Sequence, residues 1–160
     1  MSEESSVTYT TPAASAKLKE FDRLIGTWTV SDPTGNEGIS GSVRFEWMEG
    51  GFFLIQHVDL DHGGNIIKGI EYIGLQNGWE EMMNPPDPDA EREITSHYFD
   101  NLGNTFNYVW EIDADTLTIW GGYKGSPSKY VGKFSADGDV NTGAWEYPGG
   151  GYESMMSRVK

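Results

Sequence analysis

From Gly26 to the end of the chain, short runs of alternating apolar and polar residues are separated by turns that contain glycine. A period of two in runs rich in aromatic and β-branched residues is typical of half-buried β-strands. Most connections are too short for crossover helices, so consecutive strands are expected to pair in antiparallel fashion. The pattern predicts ten strands, over residues 27–31, 42–48, 52–59, 66–75, 93–99, 105–112, 116–120, 129–135, 142–147 and 152–159.

A sheet of ten strands either exposes two edges of unpaired backbone groups or closes into a barrel, which removes both edges. One face of this sheet is expected to be exposed to solvent. In the second predicted strand, Val43, Phe45 and Trp47 share one face, while Arg44 and Glu46 share the other. The sequence therefore predicts an all-β fold, a single up-and-down antiparallel barrel.

A short helix is expected before the first strand. Apolar residues recur at helical spacing at Ala14, Leu18, Phe21 and Ile25. Thr11 is a candidate N-cap and Pro12 suits the first helical position, while Gly26 stands where a helix commonly ends.

Composition limits the classes of partner. The length of 160 residues suits one domain, with residues 1–11, rich in Ser, Thr and Glu, predicted as a disordered tail and residues 12–160 as the barrel. A net charge of −14 disfavours nucleic acid and anionic membranes as partners, because both are bound through Lys and Arg. The sequence contains no cysteine, no signal-like start and no run of about 20 apolar residues, which favours a cytoplasmic protein.

One connection is unusually long. Residues 77–93 contain three prolines, which cannot donate to a β-ladder, and they include the apolar side chains of Trp79, Met82 and Met83. These side chains are too apolar for an idle surface loop. Two interpretations stay open, a lid over the barrel mouth or a loop anchored by these side chains to the outer wall.

Five stretches follow one another along the chain in a distinctive order. They are LIGTWTV, EWMEGGFFLIQHV, GIEYIGL, HYFDNLGNTFNYVWEIDADTLTIWGG and TGAWEYPGGGYESMMSRV. Together they resemble the bacterial lipocalin-like proteins of unknown function in the calycin superfamily, over nearly all of the chain from Leu18 onward. The resemblance implies a lipocalin-like barrel in which Gly26 and Trp28 plug the closed end and Arg158 packs over the indole.

The haem-binding nitrobindins, which are distant members of the same superfamily, share the short GxW entry to the first strand. In nitrobindins a histidine on a C-terminal strand binds the iron, and the last two predicted strands of this chain contain no histidine. No cofactor is therefore expected. No metal site is expected either, because Ile70 stands where the DLDHGGN segment would need a bidentate glutamate to bind calcium.

When the more apolar face of each strand is taken as the inner one, the barrel interior is rich in aromatic residues. Such rings either fill a small barrel or form the walls of a cavity, and the resemblance favours a cavity. The predicted ligand-binding residues are Trp47, Phe53, Ile55, His57, His97, Phe99, Tyr108, Trp110, Tyr130, Trp145 and Tyr152. Val30, Phe45, Leu117, Ile119, Phe134 and Met156 complete the predicted interior.

Three residues are candidates for proton transfer. His57 and His97 share strand faces with predicted interior residues, and Glu71 shares a face with Ile73 rather than with Lys68. A histidine in an apolar pocket can orient a ligand or move a proton, and burial raises the pKa of a carboxyl group. In the alternative interpretation, each histidine is a hydrogen-bonded structural residue of the barrel wall or points outward to solvent. His62 is predicted to be a turn residue.

The sequence carries no HExxH, Walker, dinucleotide or GxSxG motif. The leading prediction is binding of a small, mostly apolar molecule in the aromatic cavity. The alternative is an isomerase or cyclase that acts on a hydrophobic substrate in that cavity through His57, His97 or Glu71. In a third interpretation, exposed apolar strands mediate self-association, which would give a homodimer.

Overall fold

The computed structural model describes residues 14–160, so the predicted tail at residues 1–11 lies outside the described residues. All ten predicted strands are present, and they form one closed antiparallel barrel in which β1 pairs with β10. The predicted all-β, up-and-down barrel is therefore confirmed. The strands are β1 (Gly26–Ser31), β2 (Ile39–Trp47), β3 (Phe53–His62), β4 (Asn65–Gly74), β5 (Ile94–Asp100), β6 (Thr105–Asp113), β7 (Thr116–Gly121), β8 (Lys129–Phe134), β9 (Val140–Tyr147) and β10 (Gly150–Arg158).

The chain enters the barrel through a short helical segment, α1 (Ala16–Lys19) followed by a 3₁₀ turn (Glu20–Leu24). The predicted helix is confirmed, but its N-cap is Ser15 and not Thr11. The Ser15 hydroxyl accepts a backbone N–H of the first turn at 3.2 Å, which satisfies one of the donors that a helix start leaves free. Thr11 and Pro12 lie outside the described residues.

The helical segment covers one end of the barrel, which we call the closed end; the opposite end is the open end. The buried apolar side chains of the helical segment are Leu18, Phe21 and Leu24. Asp22 accepts a hydrogen bond from the Trp47 indole N–H at 2.6 Å, and Arg23 donates to the carbonyl of Ala114 at 2.6 Å. These contacts tie the segment to the last residue of β2 and to the turn between β6 and β7.

The plug that the resemblance implies is present at the closed end. Trp28 is fully buried, and its indole N–H donates to the carbonyl of Leu24 at 2.8 Å. The Arg158 guanidinium carbon lies 4.2 Å from the centroid of the Trp28 rings, within the range of a cation–π contact. Gly26 has a φ of +121°, and a Cβ there would lie 3.1 Å from Arg158 Nη1, so a larger residue would be strained.

Both interpretations of residues 77–93 are wrong. Because β1 starts at the closed end and the strands alternate in direction, β4 ends and β5 begins there, opposite to the barrel mouth. Within the loop, α2 (Trp79–Met83) projects its apolar side chains outward: Trp79 is 83% exposed and Met83 79%. The loop therefore neither covers the mouth nor is anchored to the wall by these side chains.

Among residues 14–160, no helix is long and apolar enough to cross a membrane.

Candidate functional site

The barrel encloses a cavity of about 310 Å³ between the closed end and the open end. Small-molecule sites usually measure about 300–1,000 Å³, so the aromatic side chains leave a usable space instead of filling the barrel. The aromatic lining residues are Phe45, Tyr98, Phe106, Tyr108, Trp110, Tyr130, Trp145 and Tyr152. The polar and charged lining residues are Gln56, His62, Glu71, Asp100, Asn104 and Ser154. Aliphatic side chains form the remainder of the wall.

Five of the lining rings form a continuous run around the wall. Tyr98 stacks on Phe106 with ring centroids 5.8 Å apart and planes 10° from parallel. Phe106 contacts Tyr108, which contacts Trp145 at 5.9 Å, and Trp145 contacts Tyr130 at 5.6 Å. These separations are favourable for aromatic pairs, so the rings hold one another in place and present their remaining surfaces to the cavity.

The floor of the cavity is built around Trp110. Its ring packs edge-to-face against Phe21 of the helical segment and against Phe45, both at 6.4 Å between centroids. The indole N–H donates to Glu71 Oε2 at 2.9 Å and to the Ser96 hydroxyl at 3.2 Å. Trp110, which closes the floor, therefore also anchors Glu71, the one buried carboxyl group among residues 14–160.

Glu71 lines the cavity and is 4% exposed, so the structure places it inside, as its strand parity predicts. Burial raises the pKa of the Glu71 carboxyl group to about 7, because removal from water penalises the charged form, while hydrogen bonds from Ser96 and Trp110 act in the opposite direction. Near neutral pH this group is present in both protonation states. It is therefore able to accept or donate a proton within the cavity.

Tyrosine hydroxyls supply further polar groups. Tyr98 donates to Asp100 Oδ2 at 3.0 Å, and burial followed by this hydrogen bond raises the pKa of Tyr98 above its usual value. Burial, reinforced by the negative charge of Glu71, raises the pKa of Tyr108, and burial raises the pKa of Tyr152 to about 12. All three hydroxyls are thus protonated donors at neutral pH.

Of the predicted ligand-binding residues, those that line the cavity are Tyr108, Trp110, Tyr130, Trp145 and Tyr152. The inward orientation predicted for Phe53, Ile55 and His57 on β3 is wrong. The cavity-lining residues of that strand have the opposite parity, and His57 Nε2 lies 3.0 Å from Glu46 Oε2 on the outer face. Because β3 carries apolar residues on both faces, including fully buried Leu54, alternation alone does not identify its inner face.

The same error of parity affects β5. His97 points outward, where its Nε2 lies 2.9 Å from Gln76 Oε1, and Phe99 is 50% exposed. The inner positions are those of Ser96 and Tyr98, which pair across the ladder with Tyr108 and Phe106. Two adjacent aromatic residues, Tyr98 and Phe99, gave both faces of the strand the same apolar character.

Two predicted interior residues lie below the cavity instead of lining it. Trp47 shares the inner face of β2, but it reaches the helical segment through its hydrogen bond with Asp22. Phe134 is buried, and the Arg23 guanidinium carbon lies 4.1 Å from its ring centroid. Both side chains support the closed end, because they belong to strands that end there.

Gln56, Tyr98 and Asp100 line the cavity although the sequence pattern did not predict it. The turn position predicted for His62 is wrong. His62 is the last residue of β3, and its ring lies 4.5 Å from that of Tyr152 near the open end. The signal for Gln56 was available, since a polar residue in an otherwise apolar run points either to solvent or to a polar partner. Gln56 pairs across the ladder with Glu71.

Within residues 14–160, no three His, Asp or Glu side chains are grouped in a way that would hold a metal ion. Comparison with known proteins assigns no family: no family model matches the chain, and no curated protein matches it significantly. The candidate function is therefore inferred from the geometry of the barrel and its cavity.

Proposed function

We propose that this protein binds a small, mostly apolar molecule inside the barrel. The observation that carries the proposal is the aromatic cavity of about 310 Å³ above a closed floor. Burial of apolar ligand surface against such walls is the dominant source of affinity in small-molecule sites, and a few polar groups set the orientation. Glu71 at the floor and the hydroxyl of Tyr108 on the wall are the orienting groups in this proposal.

The sequence resemblance to lipocalin-like proteins supports the same function, since barrels of that type enclose ligands. The run of contacting rings from Tyr98 to Tyr130 also supports it, because a wall that is already ordered loses little conformational entropy when a ligand enters.

Partly filling the cavity should weaken binding. Val58 is buried and lines the cavity, so Val58→Phe is expected to place a phenyl ring in the ligand space and to weaken binding at least about tenfold. Val131→Phe is the matched control, because Val131 is 38% exposed on the outer face of β8. The measurement is the emission of the neutral fluorescent probe N-phenylnaphthylamine during titration, after circular dichroism has shown that both variants are folded. Equal affinities for the two variants would place the binding site elsewhere.

A second function, catalysis of isomerisation on the same scaffold, is favoured by one observation. Glu71 faces the cavity with a pKa of about 7, which suits a general base at neutral pH. His57 and His97 have no part in this second proposal, because both lie on the outer face. In such a reaction Glu71 would take a proton from a carbon beside a carbonyl group and return it to a neighbouring position.

Hydrogen exchange tests this second function directly. The protein is incubated with tetralone, an apolar two-ring ketone, in deuterated water, and exchange of the protons beside the carbonyl is followed by NMR. If Glu71 acts as the base, Glu71→Gln should slow the exchange by about a hundredfold or more, whereas Glu153→Gln, on the outer face of β10, should leave it unchanged. Exchange at the rate of buffer alone would leave binding as the function of the cavity.

A further inference from the structure

The ionisable groups that line the cavity are unevenly divided between acids and bases. Its ionisable lining groups are Glu71, Asp100, His62 and the tyrosines Tyr98, Tyr108, Tyr130 and Tyr152. No lysine or arginine appears among the lining residues that the structure describes. A ligand that carries a carboxylate or phosphate would therefore lose its water without gaining a cationic partner, which is a costly exchange in an apolar site.

The two carboxyl groups occupy different levels of the cavity. Glu71 lies at the floor, where it is hydrogen-bonded by Trp110 and Ser96. Asp100 lies at the open end of β5, where it accepts backbone N–H groups of the following turn and the hydroxyl of Tyr98. These bonds occupy the carboxylate oxygens of Asp100, so Asp100 acts on a ligand only through the negative potential of its charge at the entrance. Glu71 is the carboxyl group that a ligand inside the cavity would contact.

Aromatic faces surround the space between these two levels. The π-face of an aromatic ring carries negative electrostatic potential and attracts cations, most strongly where water is excluded. Tyr108 and Trp145 belong to the wall, and Trp110 lies at the floor beside Glu71. Aromatic walls with a carboxylate at the base form an arrangement that suits a protonated amine attached to an apolar body.

Building on the proposed function, we infer that the cavity selects apolar amines in their protonated form over neutral or anionic molecules of the same shape. The ammonium group is placed at Glu71, where it forms a charge-assisted hydrogen bond, and the apolar body fills the aromatic space above.

Three probes with one skeleton test the inference: naphthylmethylamine, naphthylmethanol and naphthoic acid. Their affinities are measured by isothermal titration calorimetry at about pH 8, where Glu71 is mostly ionised and the amine is still protonated. The amine is expected to bind at least about tenfold more tightly than the alcohol, and the acid more weakly than either. In Glu71→Gln the preference for the amine over the alcohol should fall below about threefold while the alcohol binds as before, and Glu153→Gln should behave as the unaltered protein.

Proton release provides a second readout. At about pH 6 Glu71 is mostly protonated, so binding of the ammonium ion should expel that proton into the buffer, and neutral naphthylmethanol should expel none. Titrations in two buffers of different ionisation enthalpy measure this release, which Glu71→Gln should abolish.

The outcomes separate the two proposals. If the alcohol or the acid binds as tightly as the amine, or if Glu71→Gln keeps the preference for the amine, the inference is overturned and the proposed binding function stands. If none of the three probes binds, the proposed function fails and the inference fails with it.

Discussion

Replacing Trp28 with alanine is expected to lower the free energy of unfolding by roughly 3–5 kcal/mol, the usual cost of deleting a large buried aromatic side chain. Trp28 is fully buried at the closed end, so the deletion leaves a cavity that its rigid neighbours cannot fill. It also removes the acceptor of the Arg158 cation–π contact and the donor to the Leu24 carbonyl. A loss of this size is a large fraction of the stability of a typical domain.

Trp79→Ala is the matched control, because Trp79 is 83% exposed in α2 and its deletion should change stability by less than about 0.5 kcal/mol. Both variants are measured by urea unfolding followed by far-ultraviolet circular dichroism. If Trp28→Ala does not fold, Trp28→Phe, which keeps an aromatic ring, is measured in its place. Similar losses for the Trp28 and Trp79 variants would show that the plug does not hold the barrel together.

Glu71→Gln is expected to make the protein more stable at high pH and to remove one component of its pH dependence. In the unfolded chain the Glu71 carboxyl group titrates near its ordinary value of 4.5, whereas in the folded protein its pKa is about 7. Between these values the folded state holds more protons, so the free energy of unfolding falls as pH rises. The total loss through this group is about 3 kcal/mol, complete once the pH is well above 7. Glutamine has no charge to bury and keeps an acceptor for the Trp110 indole.

The measurement is the difference in unfolding free energy between Glu71→Gln and the unaltered protein, recorded from about pH 4 to about pH 8.5. Taking the difference cancels the titration of the other acidic residues, which is substantial in a chain with a net charge of −14. Glu153→Gln, an exposed site on the outer face of β10, should give a nearly flat difference. A flat curve for Glu71→Gln as well would mean that the Glu71 carboxyl group titrates near 4.5 in the folded protein.

Much of the fold follows from patterns of a few residues. The ten strands lie where alternation and glycine-bearing turns place them, and the barrel closes because ten antiparallel strands in a meander leave two edges that can pair with each other. The plug was implied by the resemblance, which assigned it to Gly26 and Trp28 at the start of β1 and to Arg158 at the end of β10. Closure then places Arg158 directly across the ladder from Trp28.

The inner face of a strand was predicted correctly where the two faces of that strand differ in polarity. On β6 the inner residues Tyr108 and Trp110 alternate with polar or smaller neighbours, and both line the cavity as predicted. On β3 and β5 both faces carry large apolar residues. There the side-chain period is still two, but the pattern contains no information about which set faces inward, so a shift of one residue exchanges His57 for Gln56 and His97 for Tyr98.

By itself the sequence determined the fold class and the number of strands, because both depend on alternation and turns within short segments, and the parity of β4 placed Glu71 inward. The plug was implied only by the resemblance to lipocalin-like proteins. The tertiary structure alone decided the faces of β3 and β5, the place of His62 at the cavity and the position of loop 77–93 at the closed end. These features depend on which residue lies opposite which across the ladder, and on the end at which a strand terminates. The pairing of residues and the end at which a strand terminates are both properties of the closed sheet as a whole. For example, Gln56 pairs with Glu71, and this pairing decides which face of β3 points inward only when the neighbouring strands are in place.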